Sequence, residues 1–175
     1  MNRYESSSAK EHREKAPRSV GCAVVTVSDT RTLADDRSGA AIVERLEGAG
    51  HVVAARAIVP DEPEAIRTAV GELMRTAGVE AVLLTGGTGI ARRDRTPDAL
   101  ARLFTTPLPG FGELFRMLSY QEIGAAAMLS RACGGVIDGK PVLLMPGSTA
   151  AVMLAMEKLV LPELGHLVEL ASGRS

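Results

Sequence analysis

Short apolar runs alternate with longer amphipathic segments from Val20 onward. VGCAVVTVS is a continuous β-branched run, the pattern of a strand buried on both faces. SGAAIVERLEGAG sets Ile42, Val43 and Leu46 on one helical face and Glu44, Arg45 and Glu47 on the other, then stops at Gly48 and Gly50. HVVAARAIV predicts a second strand. DEPEAIRTAVGELMRTAG predicts a second helix, with Pro63 in its first turn, Asp61 or Glu62 at its cap and Gly78 at its end. VEAVLLTG is a third strand, and TPDALARLF opens a third helix. A helix follows Pro109-Gly110, and MLSRACGGVIDGKPVLLMPG predicts two strands about a tight turn at Asp138-Gly139. STAAVMLAMEKLVLPELGHLVELA reads as a helix interrupted at Pro162. Residues 1–18 are polar, with no usable periodicity, and are expected to be a disordered tail ahead of one domain at 19–175.

The strand–helix alternation predicts an α/β fold, a parallel sheet covered by helices on both faces. Ligands bind such sheets at the carboxyl ends of the strands. The loops there are SDTRTLADDRS, PDEP and TGGTGIARRDRTP, and all three carry aspartates.

Composition narrows the function. Across 175 residues the net charge is −1, so no basic field exists to hold bulk nucleic acid, and 3% aromatics leave few platforms for stacking bases. No apolar stretch is long enough to span a bilayer and no signal peptide stands at the N-terminus, which predicts a cytoplasmic protein. Cys22 lies in an apolar run and reads as a small buried hydrophobe; His12, His51 and His166 are scattered.

The candidate chemistry sits in VLLTGGTGIARRDRTPDA, residues 82–99. Gly86, Gly87 and Gly89 let the backbone approach a ligand, and a helix follows, so backbone N–H groups could hold a phosphate or oxyanion. Thr85, Thr88 and Thr96 add hydroxyls. A tight turn needing glycine for geometry alone is the competing explanation. No P-loop lysine is present, which excludes a Walker-type ATPase. MPGSTAA, with Gly147 and Ser148, is a second strand–glycine–hydroxyl–helix junction, or simply a capped helix start. Asp94 is either part of a solvated charge cluster with its neighbouring arginines or a Mg²⁺ ligand beside phosphate. Asp61 is either a helix cap or a partner of Asp94 at the same metal. Asp29, Asp35 and Asp36 form a less specific acidic loop, in which Asp35 and Asp36 are expected at the surface.

TGGTGIARRDRTPDA, PGFGELFRMLS, AAMLSRACGG and MPGSTAA, preceded by VSDTR and VPDE, together resemble the MoaB/MogA family of molybdenum cofactor biosynthesis proteins over residues 19–170. The resemblance implies a three-layer α/β/α molybdopterin-binding-like fold with a mostly parallel sheet, assembled as homotrimers or hexamers. It implies Mg²⁺-dependent transfer of an adenylyl group from ATP to molybdopterin with release of pyrophosphate, and possible contact with a MoeA-type metal-insertion protein. On this basis Asp61 and Asp94 match the metal-binding, catalytic aspartates, and Gly86, Gly87, Thr88, Gly89 and Thr96 line the nucleotide and phosphate site. Ser119, Ser130, Arg131, Gly147 and Ser148 match the molybdopterin side. Ser28 and Asp29 match the loop after the first strand, and Glu113 lies in a family motif that a helix-start carboxylate explains equally well. Ser148-Thr149 stands where the MogA branch has a proline, so the chain is closer to MoaB. A non-catalytic molybdopterin- or nucleotide-binding paralogue is the alternative reading.

Overall fold

β1 (Gly21–Val27) lies second from one edge of a six-stranded sheet whose order is β2-β1-β3-β6-β5-β4. The computed structural model describes residues 17–173, so the expected tail lies outside the described residues except for Pro17 and Arg18. β2 (Val52–Val59) and β3 (Ala81–Thr85) flank β1 in parallel, and β6 (Lys140–Met145) continues parallel beside β3. β5 (Cys133–Ile137) and the two-residue β4 (Thr106–Pro107) close one edge antiparallel. The sequence left β4 unread because two residues carry no periodicity. Its Pro107 suits an edge, where a missing N–H disturbs no ladder.

Alternate side chains of the central strands feed two cores, as the period-2 pleat requires. Val24, Leu83 and Leu143 pack on one face against Ile42 and Leu46 of α1 (Arg37–Gly48), Phe115 of α4 (Pro109–Ile123) and Val152 of α5 (Thr149–Ala155). Val25, Leu84 and Leu144 pack on the other against Ile66 and Val70 of α2 (Pro63–Arg75) and Leu100 of α3 (Thr96–Ala101). The result is the expected three-layer α/β/α fold with a mostly parallel sheet.

Asp138 and Gly139 both take positive φ, 48° and 75°, the signature of the hairpin turn expected between β5 and β6. The expected break at Pro162 is absent. The helix instead runs from α5 through a π-helical turn, Met156–Val160, into α6 (Leu161–Ser172). Pro162 cannot donate, and its ring would crowd the carbonyl four residues back. Widening the preceding turn relieves that crowding without ending the helix. Among the described residues no helix is long and apolar enough to cross a membrane.

The chain reverses its direction of strand addition at β1, which has β2 on one side and β3 on the other. The crevice beyond β1 and β3 is therefore the place where such a sheet offers a ligand site.

Candidate functional site

Four loops leave the carboxyl edge of the parallel strands: residues 28–36, 60–62, 86–95 and 146–148. They touch through glycine. A Cβ at Gly86, whose φ is 107°, would stand 2.3 Å from the carbonyl oxygen of Val27. A Cβ on Gly147 would stand 3.4 Å from the Gly86 Cα. The Gly86 N–H donates to the Met145 carbonyl at 3.1 Å, and the Thr85 hydroxyl donates to the Pro146 carbonyl at 2.8 Å. Beyond Gly86 the pattern changes. Among the described residues, no protein acceptor receives the N–H groups of Gly87, Thr88, Gly89 or Ile90. Four successive amides without partners are the raw material of an anion cradle.

Asp61 and Asp94 flank that cradle. Asp61 is 8% exposed, and its carboxylate lies 2.8–3.0 Å from where a Gly87 Cβ would be. It is not the cap of α2; Glu62 occupies that position without a side-chain hydrogen bond. Asp61 Oδ1 instead accepts from the Arg95 N–H at 3.4 Å and the Thr96 hydroxyl at 3.3 Å, across more than thirty residues of chain. Asp94 Oδ2 lies 2.6 Å from where a Gly89 Cβ would be and accepts from the Ala91 N–H at 3.0 Å. Asp61 Oδ2 and Asp94 Oδ1 accept no hydrogen bond from the described residues.

Burial pushes the Asp61 carboxyl above the usual carboxylate range, and the charges of Asp94 and Asp29 push it further, against the hydrogen bonds from Arg95 and Thr96. Here is a half-compensated negative charge beside unfilled amide donors. The described residues contain no group of three or more His, Cys, Asp or Glu that could cage a cation. Mg²⁺ fits such a donor set, because it takes one or two carboxylates and completes its shell with phosphate oxygens and water.

Asp29 joins the site from the β1 loop. Its Oδ1 accepts from the Asp61 N–H at 2.9 Å, and its Oδ2 pairs with Arg93 at 3.4 Å. Ser28 holds this loop: its N–H donates to the Val59 carbonyl, and its hydroxyl accepts from the Thr30 and Arg31 N–H groups. Thr88 and Thr96 are buried.

The residues expected on the molybdopterin side separate into two sets. Ser119 and Ser148 line a cavity of about 460 Å³, together with Ile123, Leu154, Glu157 and Lys158. Ser148 also caps α5, accepting from the Ala151 N–H at 3.3 Å. Arg131 turns instead to the glycine loop. Its backbone N–H donates to the Thr88 carbonyl at 2.9 Å and its Nε to the Gly89 carbonyl at 2.9 Å. Its two terminal nitrogens donate to the Asp94 carbonyl and, at 3.0 Å, to the Asp98 carboxylate. Ser130 accepts from the Ala132 N–H at 3.3 Å. Glu113 lines a separate cavity of about 410 Å³ with Arg116 and Cys133.

Asp36 overturns the expectation of a surface residue. It is 3% exposed and caps α1 through the Gly39 N–H, while accepting from the Thr26 hydroxyl at 2.7 Å and Arg56 at 3.0 Å. Burial alone would raise its pKa, but the bonds from Thr26, Gly39 and Arg56 outweigh it and hold the carboxyl below its ordinary value. The neighbouring Asp35 stays exposed, as expected, and accepts from the Thr32 N–H. Cys22 is buried, as its apolar context predicts.

Residues 23–166 match the family described as "Probable molybdopterin binding domain". The molybdenum cofactor biosynthesis protein B of Bacillus subtilis is 53% identical over 162 residues, 92% of this chain and 95% of that protein. A crystal structure of a molybdenum cofactor biosynthesis protein B superposes with a TM-score of 0.88 at 51% identity, covering 92% of this chain and all of that one. The tungsten cofactor synthesizing protein MoaB of Pyrococcus furiosus superposes with a TM-score of 0.79 at 37% identity, covering 90% and 99%.

Proposed function

We propose a chemical step from an established premise: this chain belongs to the molybdopterin-binding family of molybdenum cofactor biosynthesis proteins, on its MoaB side. The step is adenylyl transfer from ATP to molybdopterin. The terminal phosphate oxygen of molybdopterin attacks the α-phosphorus of ATP, the bond to the β-phosphate oxygen breaks, and pyrophosphate leaves. The observation that carries this reading is the row of unpartnered amides from Gly87 to Ile90 beside the Asp61–Asp94 pair. Such a site suits a phosphate-rich substrate and its charged leaving group.

Asp61 and Asp94 are the residues that would hold Mg²⁺, which when bound supplies positive charge to the triphosphate. The glycine-loop amides hold phosphate oxygens in fixed positions. Ser119 and Ser148 line the cavity that would take the pterin, and Ser148 directly follows Gly147, where an added Cβ would stand 3.4 Å from the Gly86 Cα. The step needs no covalent residue, so positioning and charge stabilisation suffice.

The test mixes protein, molybdopterin and Mg-ATP and follows pyrophosphate. Wild type should release it only when molybdopterin is present, and Asp94→Ala should slow release by about 10²–10³-fold, the usual cost of one preorganised charge-stabilising group. An Asp94→Ala variant that turns over like wild type removes the metal role. Molybdopterin binding without pyrophosphate release would instead identify a binding protein, the reading that the engagement of Ser148 as a helix cap favours.

A further inference from the structure

We propose that Arg131 is a positioning residue that aims the amides of the glycine loop into the phosphate site and does not itself touch substrate. The inference rests on the phosphate-site reading above and adds the device that builds it. Three carbonyls of one loop, those of Thr88, Gly89 and Asp94, accept from this single residue. The peptide bonds of the described chain are all trans, so each carbonyl points opposite to the N–H of the residue that follows. Drawing the Thr88 and Gly89 carbonyls toward Arg131 therefore turns the Gly89 and Ile90 N–H groups away from it. Both of those groups lack a protein acceptor among the described residues.

The third carbonyl supplies an internal check. With the Asp94 carbonyl held by Arg131, the Arg95 N–H must point the other way, and there it meets Asp61 Oδ1 at 3.4 Å. The guanidinium thus sets the Ile90 amide through the Gly89 carbonyl and ties the Asp94 segment to Asp61, while the backbone N–H of the same residue sets the Gly89 amide through the Thr88 carbonyl. An arginine can do this because its planar fork offers five donors, whereas an ammonium is a compact point charge. Asp98 accepts from Nη1 at 3.0 Å, so each of the three guanidinium nitrogens already has a protein partner before any ligand arrives.

The experiment compares wild type with Arg131→Lys, Arg131→Met and Asp98→Asn, using amide hydrogen exchange without ligand and calorimetric binding of pyrophosphate in Mg²⁺. In both Arg131 variants the Arg95 amide should exchange faster, with the β1 and β3 amides unchanged. Pyrophosphate should bind about 10–100-fold more weakly, the usual cost of removing a group that orients a site's ligands. Arg131→Lys should lose nearly as much as Arg131→Met, because it keeps the charge and loses the fork. Asp98→Asn leaves the three carbonyl bonds in place and should stay close to wild type in both readouts. A phosphate contact predicts the opposite: unchanged Arg95 exchange without ligand and substantial retention by lysine, and that result overturns the proposal. Faster exchange across the whole chain in both variants would also overturn it, since Arg131 would then serve general stability. A wild type that binds no pyrophosphate would remove the phosphate-site reading, while the exchange at Arg95 would still decide what Arg131 orients.

Discussion

Two adjacent aspartates show how far single residues could be read. Asp35 and Asp36 are indistinguishable in SDTRTLADDRS, yet one faces water and the other lies beneath the loop. The difference is made by Thr26, ten residues back, and Arg56, twenty residues on, neither of which local pattern can connect to it. Arg131 is the same case on a larger scale, since its carbonyl partners are about forty residues away in sequence. Asp61 and Asp94 were legible because short loops at strand ends deliver polar side chains to one edge whatever the details of packing. Asp61 also carries the clearest residue-level prediction. Its carboxylate is buried and faces Asp94 and Asp29, so its charge is kept at a cost to the ligand-free fold. Asp61→Asn removes the charge while keeping an oxygen for the Arg95 and Thr96 donors. The variant should melt about 2–4 °C higher than wild type, the shift that roughly 1 kcal/mol produces in a domain of this size. It should also lose Mg²⁺-dependent turnover. A melting point at or below that of wild type would mean that the site holds no uncompensated charge.

Elements were read well where periodicity extends over several turns or pleats. β1, β3 and β6 are apolar on both faces and lie in the sheet interior, and α1 and α2 fall where their amphipathic patterns place them. The α5–α6 junction was misread because a proline inside a helical pattern locally signals a stop, whereas the π-turn that tolerates it has no simple sequence mark. A different junction, from α1 into β2, carries a pH dependence. His51 Nδ1 accepts the Val20 N–H at 3.2 Å, an acceptance that requires an unprotonated nitrogen. Burial holds its imidazole below the ordinary value of 6.5. A base with a depressed folded pKa contributes full stability above its unfolded pKa and loses it as pH falls through the folded one. Urea melts should therefore show stability declining as pH drops below 6.5, and His51→Gln, which keeps a polar side chain without that titration, should flatten the decline. An identical slope in the variant would place the titrating group elsewhere.

At the scale of the whole molecule, the fold leaves one contiguous stretch apolar and uncovered. Leu114, Met117, Tyr120 and Ile123 of α4, with Met128 and Leu129 of the 3₁₀ turn that follows, are all exposed. Scattered surface apolar residues are ordinary, but six from sixteen consecutive positions form a patch of the kind that marks an interaction surface. The β4 edge of the sheet cannot serve this purpose as easily, since β4 is two residues long and ends in Pro107. The family resemblance implies a trimer or hexamer, and this patch is the surface on which that expectation can be tested. Light scattering on the eluted protein should then give three or six times 18.4 kDa for wild type. Pairing Met117→Glu with Tyr120→Glu places two charges in the patch without touching either core, and it should shift the mass to that of a single chain with the thermal fold retained. Since Ile123 also lines the cavity holding Ser119 and Ser148, the dissociated variant should bind molybdopterin more weakly while pyrophosphate binding at the glycine loop is preserved. A wild-type protein that elutes at 18.4 kDa would leave the patch to some other partner and make the site complete within one chain.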